Sequence, residues 1–282
     1  MKIFWFTLFF FLLCTVCYAQ TSLGYSLKKD DIFTIKQDAQ QIITQIMDGA
    51  EHEITDDING VLEFRMIDEK NDNCEIAMRF KDLNLKMTSS IQGELMNVQA
   101  KEVSKGDLQS KMFNSLLDIP IQMTLAKNGD IVNISGGHSL IIKMVTASGI
   151  LDELQMNMMK KGPEKEFGSE VLSNSFKQMT YIYSDEIVNP GDSWENEYTG
   201  KLNSKNTWTF DGLENDSPII SGIAAVIMTV DDGATKMNLN GSQQTKIITD
   251  RASGCVKSIT VEGTAEALPL CNNWATQRFL QA

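Results

Sequence analysis

The stretch CEIAMRF, residues 74–80, alternates between two sets of side chains along its whole length. Successive side chains of a β-strand point to opposite faces, so one face here receives four apolar residues: Cys74, Ile76, Met78 and Phe80. Strict alternation of this kind is typical of antiparallel sheet with one buried face and one solvated face. The stretch therefore predicts a one-sided strand.

The same pattern recurs through most of the chain. It is seen in LEFRM (62–66), LNLKM (83–87) and IPIQMTL (119–125). Between and around such runs lie pairs and clusters that are typical of turns: Asp48-Gly49, Asn59-Gly60, Asn71 to Asn73, Asn128-Gly129, Asp232-Gly233 and Ser253-Gly254. The sequence thus predicts a series of antiparallel strands joined by short hairpins.

The period changes to a helical one over residues 139–179. Ser139 is the expected N-cap of a first short helix. The stretch ILDELQMNMMKK predicts a second helix that ends at Gly162, and Pro163 is expected to begin a third.

Two strand starts resemble each other. Asp31-Ile32-Phe33 matches Asp192-Ser193-Trp194, and further matches follow in the same order. We interpret both aspartates as turn formers that accept backbone N–H bonds, and both aromatic residues as the first large core residue of a unit. The chain is divided into a signal peptide (1–19), a first β unit (20–138), a helical connector (139–179), a second β unit (180–264) and an atypical tail (265–282).

The expected fold is therefore mainly β (α+β), with antiparallel, one-sided curved sheets in two tandem repeats and a central helical insertion. A single large half-barrel closed by helices is the alternative.

The first residues indicate export. Lys2 precedes an apolar run from Ile3 to Leu13, and small residues at Cys17 and Ala19 predict cleavage before Gln20. A lipid anchor on Cys17 is the alternative. We expect no transmembrane segment after cleavage, and a periplasmic, outer-envelope or extracellular location.

Three segments carry a family resemblance: VNPGDSWENEYTGKLNSKNTW (188–208), LKKDDIFTIKQDAQQIITQ (27–45) and SSIQGELMNV (89–98). They resemble a domain-of-unknown-function family of secreted bacterial envelope proteins, over nearly all of residues 23–264. The resemblance implies a signal peptide, a mostly β fold and an envelope address, and it brings no established activity or functional residues. Asp30 stands where the family pattern has Gly, and the tail also departs from that pattern.

Composition and motifs argue against several classes of function. The net charge of −12 argues against a nucleic-acid partner and against electrostatic docking on an anionic membrane. Gly137-His138-Ser139 begins like a nucleophile elbow, but Ile141 stands where the elbow requires Gly. We expect no catalytic residues, no cofactor and no metal site, because the histidines, cysteines and acids lack the required spacing.

A non-enzymatic protein of unknown function is therefore expected, and binding of a lipid or other apolar ligand is its sharper form. Methionine adapts its shape to varied apolar ligands. We predict a pocket between one sheet face and the helices, lined by Phe64, Met66, Met78, Phe80, Met87, Met144, Met156 and Met159. The alternative is a structural or interaction module of the envelope with a filled core and no ligand.

The tail is the last departure from the pattern. Alternation stops after Thr264, and LPLCNNWATQRFLQA (268–282) has no strand rhythm. We expect a truncated or frame-altered remnant of a strand, which would leave an exposed sheet edge.

Overall fold

The structure is a computed structural model, and it describes residues 23–47, 49–104, 107–200, 202–231, 236–267 and 275–281. The predicted signal peptide, Cys271 and the Asp232-Gly233 turn lie outside these residues. The first β unit comprises β1 (Ile32–Met47), β2 (Ala50–Lys70), β3 (Asn73–Ser89), β4 (Gly93–Gln99), α1 (Leu108–Asn114), β5 (Ile121–Leu125) and β6 (Ile131–Ser135). The helices α2 (Gly137–Ala147), α3 (Glu153–Phe167) and α4 (Ser169–Thr180) follow. The second unit comprises β7 (Ser193–Tyr198), β8 (Leu202–Glu214), β9 (Ser217–Asp231), β10 (Lys236–Thr249) and β11 (Val256–Ala267), and β12 (Ala275–Gln281) comes after it.

The fold class is confirmed: the protein is mainly β, the named strands pair antiparallel, and the two β units flank a helical insertion. The strands lie in the order β6-β5-β3-β2-β1-β12-β11-β10-β9-β8-β7, and β4 pairs with the far end of β3. The two groups of strands are therefore tandem repeats that meet edge to edge at β12.

The repeat is visible in the backbone of the two strand starts. Asp31 accepts a hydrogen bond from the backbone N–H of Lys28 at 2.8 Å, and Asp192 accepts one from Asn189 at 2.7 Å. Asp30 has φ 69° and Gly191 has φ 94°, so the two turns share a left-handed residue. An aspartate can adopt this conformation because its short polar side chain tolerates it better than most. The predicted role of both aspartates as turn formers is confirmed, and the turn closes despite Asp30.

The hairpins that follow also correspond. Both the β2–β3 turn and the β8–β9 turn are Asn-Asp pairs with positive φ at both residues, at 71–72 and at 215–216. This is the geometry of a type I′ turn, whose twist matches that of the flanking strands. The predicted turn at Asn59-Gly60 is wrong, because both residues lie within β2. There Asn59 donates across the sheet to Asp38 at 2.6 Å.

Two helix boundaries differ from the sequence-based predictions. The N-cap of α2 is Gly136 with φ 107°, so Ser139 lies inside the first turn and is not the cap. A left-handed glycine lets the chain turn out of β6 and begin the helix earlier than a Ser cap would. Helix α3 continues through Gly162 and Pro163 and ends at Phe167, and Gly168 separates it from α4. The Pro was expected to begin a helix but lies within one.

Both units contribute to one core. Phe64 and Met78 of the first unit share a single cluster with Trp208 and Phe210 of the second. The helices add Leu140, Met144, Leu172 and Phe176 to it. Because strands from both ends of the sheet order meet in this cluster, the sheet curves around the helices.

The segment 23–27 ties the two units together at one end of the core. The N–H of Tyr25 donates to the carbonyl of Lys127, in the β5–β6 turn, at 2.9 Å. The N–H of Ser26 donates to the carbonyl of Ser253, in the β10–β11 turn, also at 2.9 Å. The Tyr183 hydroxyl donates to the carbonyl of Gly254 in that second turn. We call this arrangement the clasp.

The tail requires a correction. Residues 275–281 form β12, which pairs with β1 over residues 39–45 and with β11 over residues 261–266. This segment forms a strand because its backbone is hydrogen-bonded on both sides, although its side-chain pattern does not predict a strand. Residues 268–274 lie outside the described ranges.

Candidate functional site

The eight residues predicted to line a pocket do not lie together. Five of them are buried in the shared core, where their side chains are at most 7% exposed: Phe64, Met66, Met78, Phe80 and Met144. Met156 and Met159 are half-buried on α3, which has no buried residue. Met87 is half-buried near the far end of β3 and is not part of the core cluster.

The core beneath the helices is closely packed around Phe64. The rings of Phe33 and Phe64 stack with their centroids 4.9 Å apart. A cavity of about 10 Å³ remains beside them, with Tyr25, Met123 and Met179 among its lining residues. One water molecule fills that volume, whereas a lipid chain does not fit. The prediction that all eight residues line one pocket stays a prediction.

The sheet is longer than its helical cover. Strand β2 has 21 residues and therefore spans about 70 Å, whereas β5 and β6 have 5 residues each. The face that bears Phe64 continues along β2 through Ile58 and Ile54, because these residues keep the same parity. The register places Leu85 opposite Ile58 and Ile43 opposite Ile54. We call Ile43, Ile54, Ile58, Leu85 and Met87 the inner strip.

A bulge explains why Met87 shares a face with Phe80 although their numbers differ in parity. Leu62 pairs with Phe80 and Val61 pairs with Asp82, so Lys81 is an extra residue in β3. Beyond this bulge Leu83, Leu85 and Met87 face the same side as Met78 and Phe80. The members of the inner strip are half-buried and lie outside the core cluster.

Two titratable residues interrupt the inner strip. Asp56 pairs with Met87 across the sheet, and His52 lies four residues before it on the same face. Burial, and then the neighbouring Asp57 carboxylate, raise the pKa of the Asp56 carboxyl. Among the described residues, neither Oδ1 of Asp56 nor Nδ1 of His52 has a hydrogen-bond partner, although both atoms are buried. A partner for these atoms would complete the site, since buried polar groups are normally paired.

The second unit has a smaller apolar cluster at the corresponding end of its own inward face. Leu239, Ala265 and Ala267 are buried there, and Met228 packs against them. Leu239 pairs with both Met228 and Ala267, and its parity along β10 matches that of the core residue Ile247. The inward faces of both units are therefore apolar beyond the main core.

Several buried polar side chains of β7 and β8 form a hydrogen-bond network. Oδ1 of Asn196 accepts from Asn206 at 2.9 Å and from the Trp208 indole at 3.0 Å. The carbonyl of Tyr181 accepts from Asn196 at 2.6 Å and from the Tyr198 hydroxyl at 2.8 Å. Burial raises the pKa of the Tyr198 phenol, which keeps it protonated as a donor. This network stabilises the packing of β7 and β8.

A polar cleft of about 550 Å³ lies on the outer face of β1 to β4. Four carboxylates line it, those of Asp38, Asp57, Asp82 and Glu102. Three of them have a partner: Asp38 accepts from Asn59 at 2.6 Å, Asp57 accepts from Gln40 at 2.9 Å, and Asp82 pairs with Lys101 at 3.7 Å. The cleft is larger than the cavity beside Phe64, but three of its carboxylates already have partners. We therefore place the candidate site on the inner strip.

The described residues offer neither a cluster of metal ligands nor a membrane-spanning helix. Within the ranges given above, no group of three or more His, Cys, Asp or Glu side chains is arranged to hold a metal ion. No helix in the described part of the chain is both long and apolar enough to span a bilayer. The thiols of Cys74 and Cys255 are free, and Cys74 is buried on β3 as a small apolar residue.

These observations define a class: a mainly β repeat protein whose inward face is packed under helices at one end and apolar but uncovered at the other. Residues 71–256 match the family of unknown function DUF6263, so the chain belongs to that family. The predicted membership of a family without established activity is thus confirmed. No curated protein matches the chain significantly.

Two solved structures resemble the chain, each at 10% sequence identity. A structure described as "lipid-protein interactions in lipovitellin" has a TM-score of 0.53 and covers 91% of this chain. The chain spans only 25% of that protein's length. A putative exported protein with a YmcC-like fold, from Bacteroides fragilis NCTC 9343, covers 92% of this chain and 97% of its own, but its TM-score is 0.18, too low to support an argument. The first similarity shows a shared fold.

Proposed function

We propose that the protein is an exported, non-enzymatic protein that binds a lipid or another apolar ligand on the inner strip. The observation that carries this proposal is the strip itself. Five apolar side chains face the inside of the curved sheet beyond the helices, and none of them belongs to the core cluster. Apolar surface that faces inward without a covering element is typical of a ligand site.

The strip offers two kinds of contact to such a ligand. Ile43, Ile54 and Met87 provide apolar surface for an acyl chain. Asp56 and His52 provide buried polar atoms for a head group. Burial, and then Asp57, raise the pKa of the Asp56 carboxyl, whose Oδ1 is buried without a partner among the described residues and can bond to a polar head group.

The lipovitellin similarity supports this proposal at the level of fold. That structure is described as one of lipid–protein interactions, and its fold covers 91% of this chain. A fold alone does not carry a function to a distant relative. The similarity therefore supports the proposal only through the shared fold, and the residues for binding come from the inner strip.

The absence of catalytic work is part of the same proposal. Hydrogen bonds occupy the buried side chains of Asn196, Asn206 and Trp208 on β7 and β8. Glu195 and Glu197 are exposed on β7, where a carboxylate keeps its solvation. Export is supported by the apolar run of residues 3–13 and the small residues before Gln20.

A structural or interaction module is the second candidate, and one observation favours it. The core beneath the helices is filled around Phe64, with a cavity of only about 10 Å³. In this alternative the inner strip is covered by another protein of the envelope and binds no lipid.

Thermal unfolding with palmitic acid and with phosphatidylethanolamine tests the two candidates. A ligand at a hundredfold excess over its Kd stabilises the folded state by about 2.7 kcal/mol, so the unfolding midpoint should rise. Ile43→Asn should abolish the rise because it places an amide on the inner strip. Ile42→Asn is the matched control, since the adjacent residue is also half-buried but points to the opposite face of β1.

An unchanged unfolding midpoint would favour the structural or interaction module. If neither probe raises the midpoint, and native mass spectrometry of the purified protein shows no bound lipid, the module is the better description.

A further inference from the structure

Helix α3 is unlike the other helices of the connector, because none of its residues is buried. Leu140 and Met144 of α2 and Leu172 and Phe176 of α4 reach the core. By contrast, Leu154 of α3 is 71% exposed, Met158 is 64% exposed, and Leu151, just before the helix, is 92% exposed. Three large apolar side chains in a row on one short segment are more than scattered exposure accounts for.

Two of these residues form one line on the helix surface. Leu154 and Met158 are four residues apart and fall on the same face of α3, and Leu151 lies just before the N-cap Asp152, whose backbone is extended. At about 100° per residue, Lys161 and Lys165 continue that line toward the C-terminal end of α3. We call these five residues the α3 stripe.

The acidic residues of α3 lie elsewhere around the helix. On the same helical projection Glu153 and Glu164 are about 80–100° away from Leu154, and Asp152 and Glu166 are more than 100° away. The stripe is therefore apolar at one end and basic at the other, although the whole chain carries a net charge of −12.

The helix is held in place while this face stays open. Its N-cap is Asp152, whose carboxylate accepts from the N–H of Gln155 at 2.8 Å. It packs beside α2 and, to a lesser degree, α4. The stripe is thus presented by a formed and anchored helix, which removes the cost of ordering it on binding.

We propose that the α3 stripe docks the protein on a phospholipid surface. Leu151, Leu154 and Met158 would enter the boundary between head groups and acyl chains, and Lys161 and Lys165 would reach the phosphate groups. The lysines favour a phospholipid surface as the partner, because they place two positive charges beside the apolar residues, where a bilayer has its phosphate groups. The apolar residues drive the docking and the two lysines orient it. This inference stands on α3 alone and does not require a ligand on the inner strip.

Flotation with vesicles measures the docking directly. The full chain, from residue 20 onward, is mixed with vesicles of phosphatidylethanolamine and phosphatidylglycerol. Leu154→Glu/Met158→Glu should weaken the partition by about tenfold or more, because it removes two apolar side chains and adds two charges that phosphate repels. Ile223→Glu is the matched control: Ile223 is 66% exposed on β9, away from α3.

A second pair of variants separates the two ends of the stripe. Lys161→Glu/Lys165→Glu should weaken binding to vesicles that contain phosphatidylglycerol more than binding to phosphatidylcholine alone, and added salt should reduce this difference. Circular dichroism establishes that each variant keeps its secondary structure.

Two outcomes would overturn the proposal. One is vesicle binding by Leu154→Glu/Met158→Glu that equals the unchanged chain. The other is a loss of dimer on sedimentation with no change in vesicle binding, which would make the stripe a contact between copies. Neither outcome alters the palmitic-acid and phosphatidylethanolamine melts, so failure here is distinguishable from failure of the ligand proposal.

Discussion

At the scale of single residues, aspartates fix the turns of this protein. Asp31 and Asp192 each accept from a backbone N–H three residues earlier, and Asp250 does related work in the β10–β11 turn. An aspartate beside a turn is among the better local signals in a sequence, because the hydrogen bond involves only near neighbours. This is why the role of Asp31 and Asp192 could be predicted without any tertiary information.

Asp250 gives a prediction about pH. It accepts from the N–H and hydroxyl of Ser253, both at 2.9 Å, and pairs with Lys257 at 3.2 Å. The bonds from Ser253, with help from Lys257, lower the pKa of Asp250 to about 2. Because the pKa of Asp250 is lower in the folded state than in the unfolded state, where it is about 3.9, the ionised carboxylate stabilises the fold at pH values above about 3.9. This stabilisation is lost as the pH falls toward 2.

We therefore expect Asp250→Ala to lower the free energy of unfolding at pH 7 by on the order of 1 kcal/mol. The difference from the unchanged chain should shrink between about pH 4 and pH 2. Urea unfolding at several pH values measures it. A difference that is independent of pH would show that the charge of Asp250 does not contribute.

Gly222 gives a prediction about packing. A Cβ at Gly222 would lie 2.4 Å from Cζ3 of Trp208, whereas a Cβ at Gly60 would meet only the carbonyl of Asp82, at 3.7 Å. Both glycines lie within strands. Gly222→Ala should cost about 1–3 kcal/mol through overpacking, and Gly60→Ala should be neutral or slightly stabilising. Equal effects in chemical denaturation would contradict this account of Trp208.

At the scale of elements, alternation predicts strands well and boundaries poorly. CEIAMRF and LNLKM are two runs of opposite parity, yet both belong to β3, because the bulge at Lys81 restores the face. Asn59-Gly60 is typical of a turn, but cross-strand pairing along β1 and β3 keeps it within β2. The bulge at Lys81 and the continuation of β2 through Asn59-Gly60 both depend on pairing with neighbouring strands, which are distant in sequence.

The candidate site was only partly predictable for a related reason. Met87 was identified from its alternation, but Phe64 and Met78 belong to the packed core. Phe64 and Met78 lie under the helices, whereas Met87 lies beyond them. The sequence does not show where the helical cover ends, because that position depends on the lengths of β2 and β5 together. Ile54 and Ile58 share the parity of Leu62, and that was the signal in the sequence for the inner strip.

The clasp gives a prediction at this scale. The Tyr183 hydroxyl donates to the carbonyl of Gly254, and the N–H of Tyr183 donates to Asn128 at 3.1 Å. Tyr183→Phe leaves the buried carbonyl without its donor and should cost about 1–2 kcal/mol. Tyr181→Phe, at a half-buried ring nearby, is the control and should cost less. Thermal melts measure both, and equal losses would mean that the hydroxyl bond at Gly254 adds nothing to the clasp.

At the scale of the whole molecule, export can be tested without knowledge of function. The exported protein should begin at Gln20, because Cys17 and Ala19 fit the cleavage site. Intact-mass analysis of protein recovered from the envelope or the medium measures this. A mass that retains residues 1–19, or that includes a lipid on Cys17, would contradict the prediction.

The two-unit organisation was visible in the sequence because its strand starts match at Asp31 and Asp192. The joining of the units through β12 was not visible in the sequence, because the residues of β12 do not alternate. That segment forms a strand because its backbone pairs with β1 on one side and with β11 on the other. A segment between two existing edges takes its conformation from them.

The pairing of β1 with β12 has a consequence for how the protein folds during its synthesis. Residues 39–45 of β1 pair with residues 275–281, so the sheet cannot be completed until residues 275–281 have been synthesised. During that interval the first repeat exposes the apolar face that the second repeat will help to cover. Contacts so distant in sequence slow folding, because a long loop must close before they form. The late synthesis of β12 therefore prolongs the exposure of that apolar face.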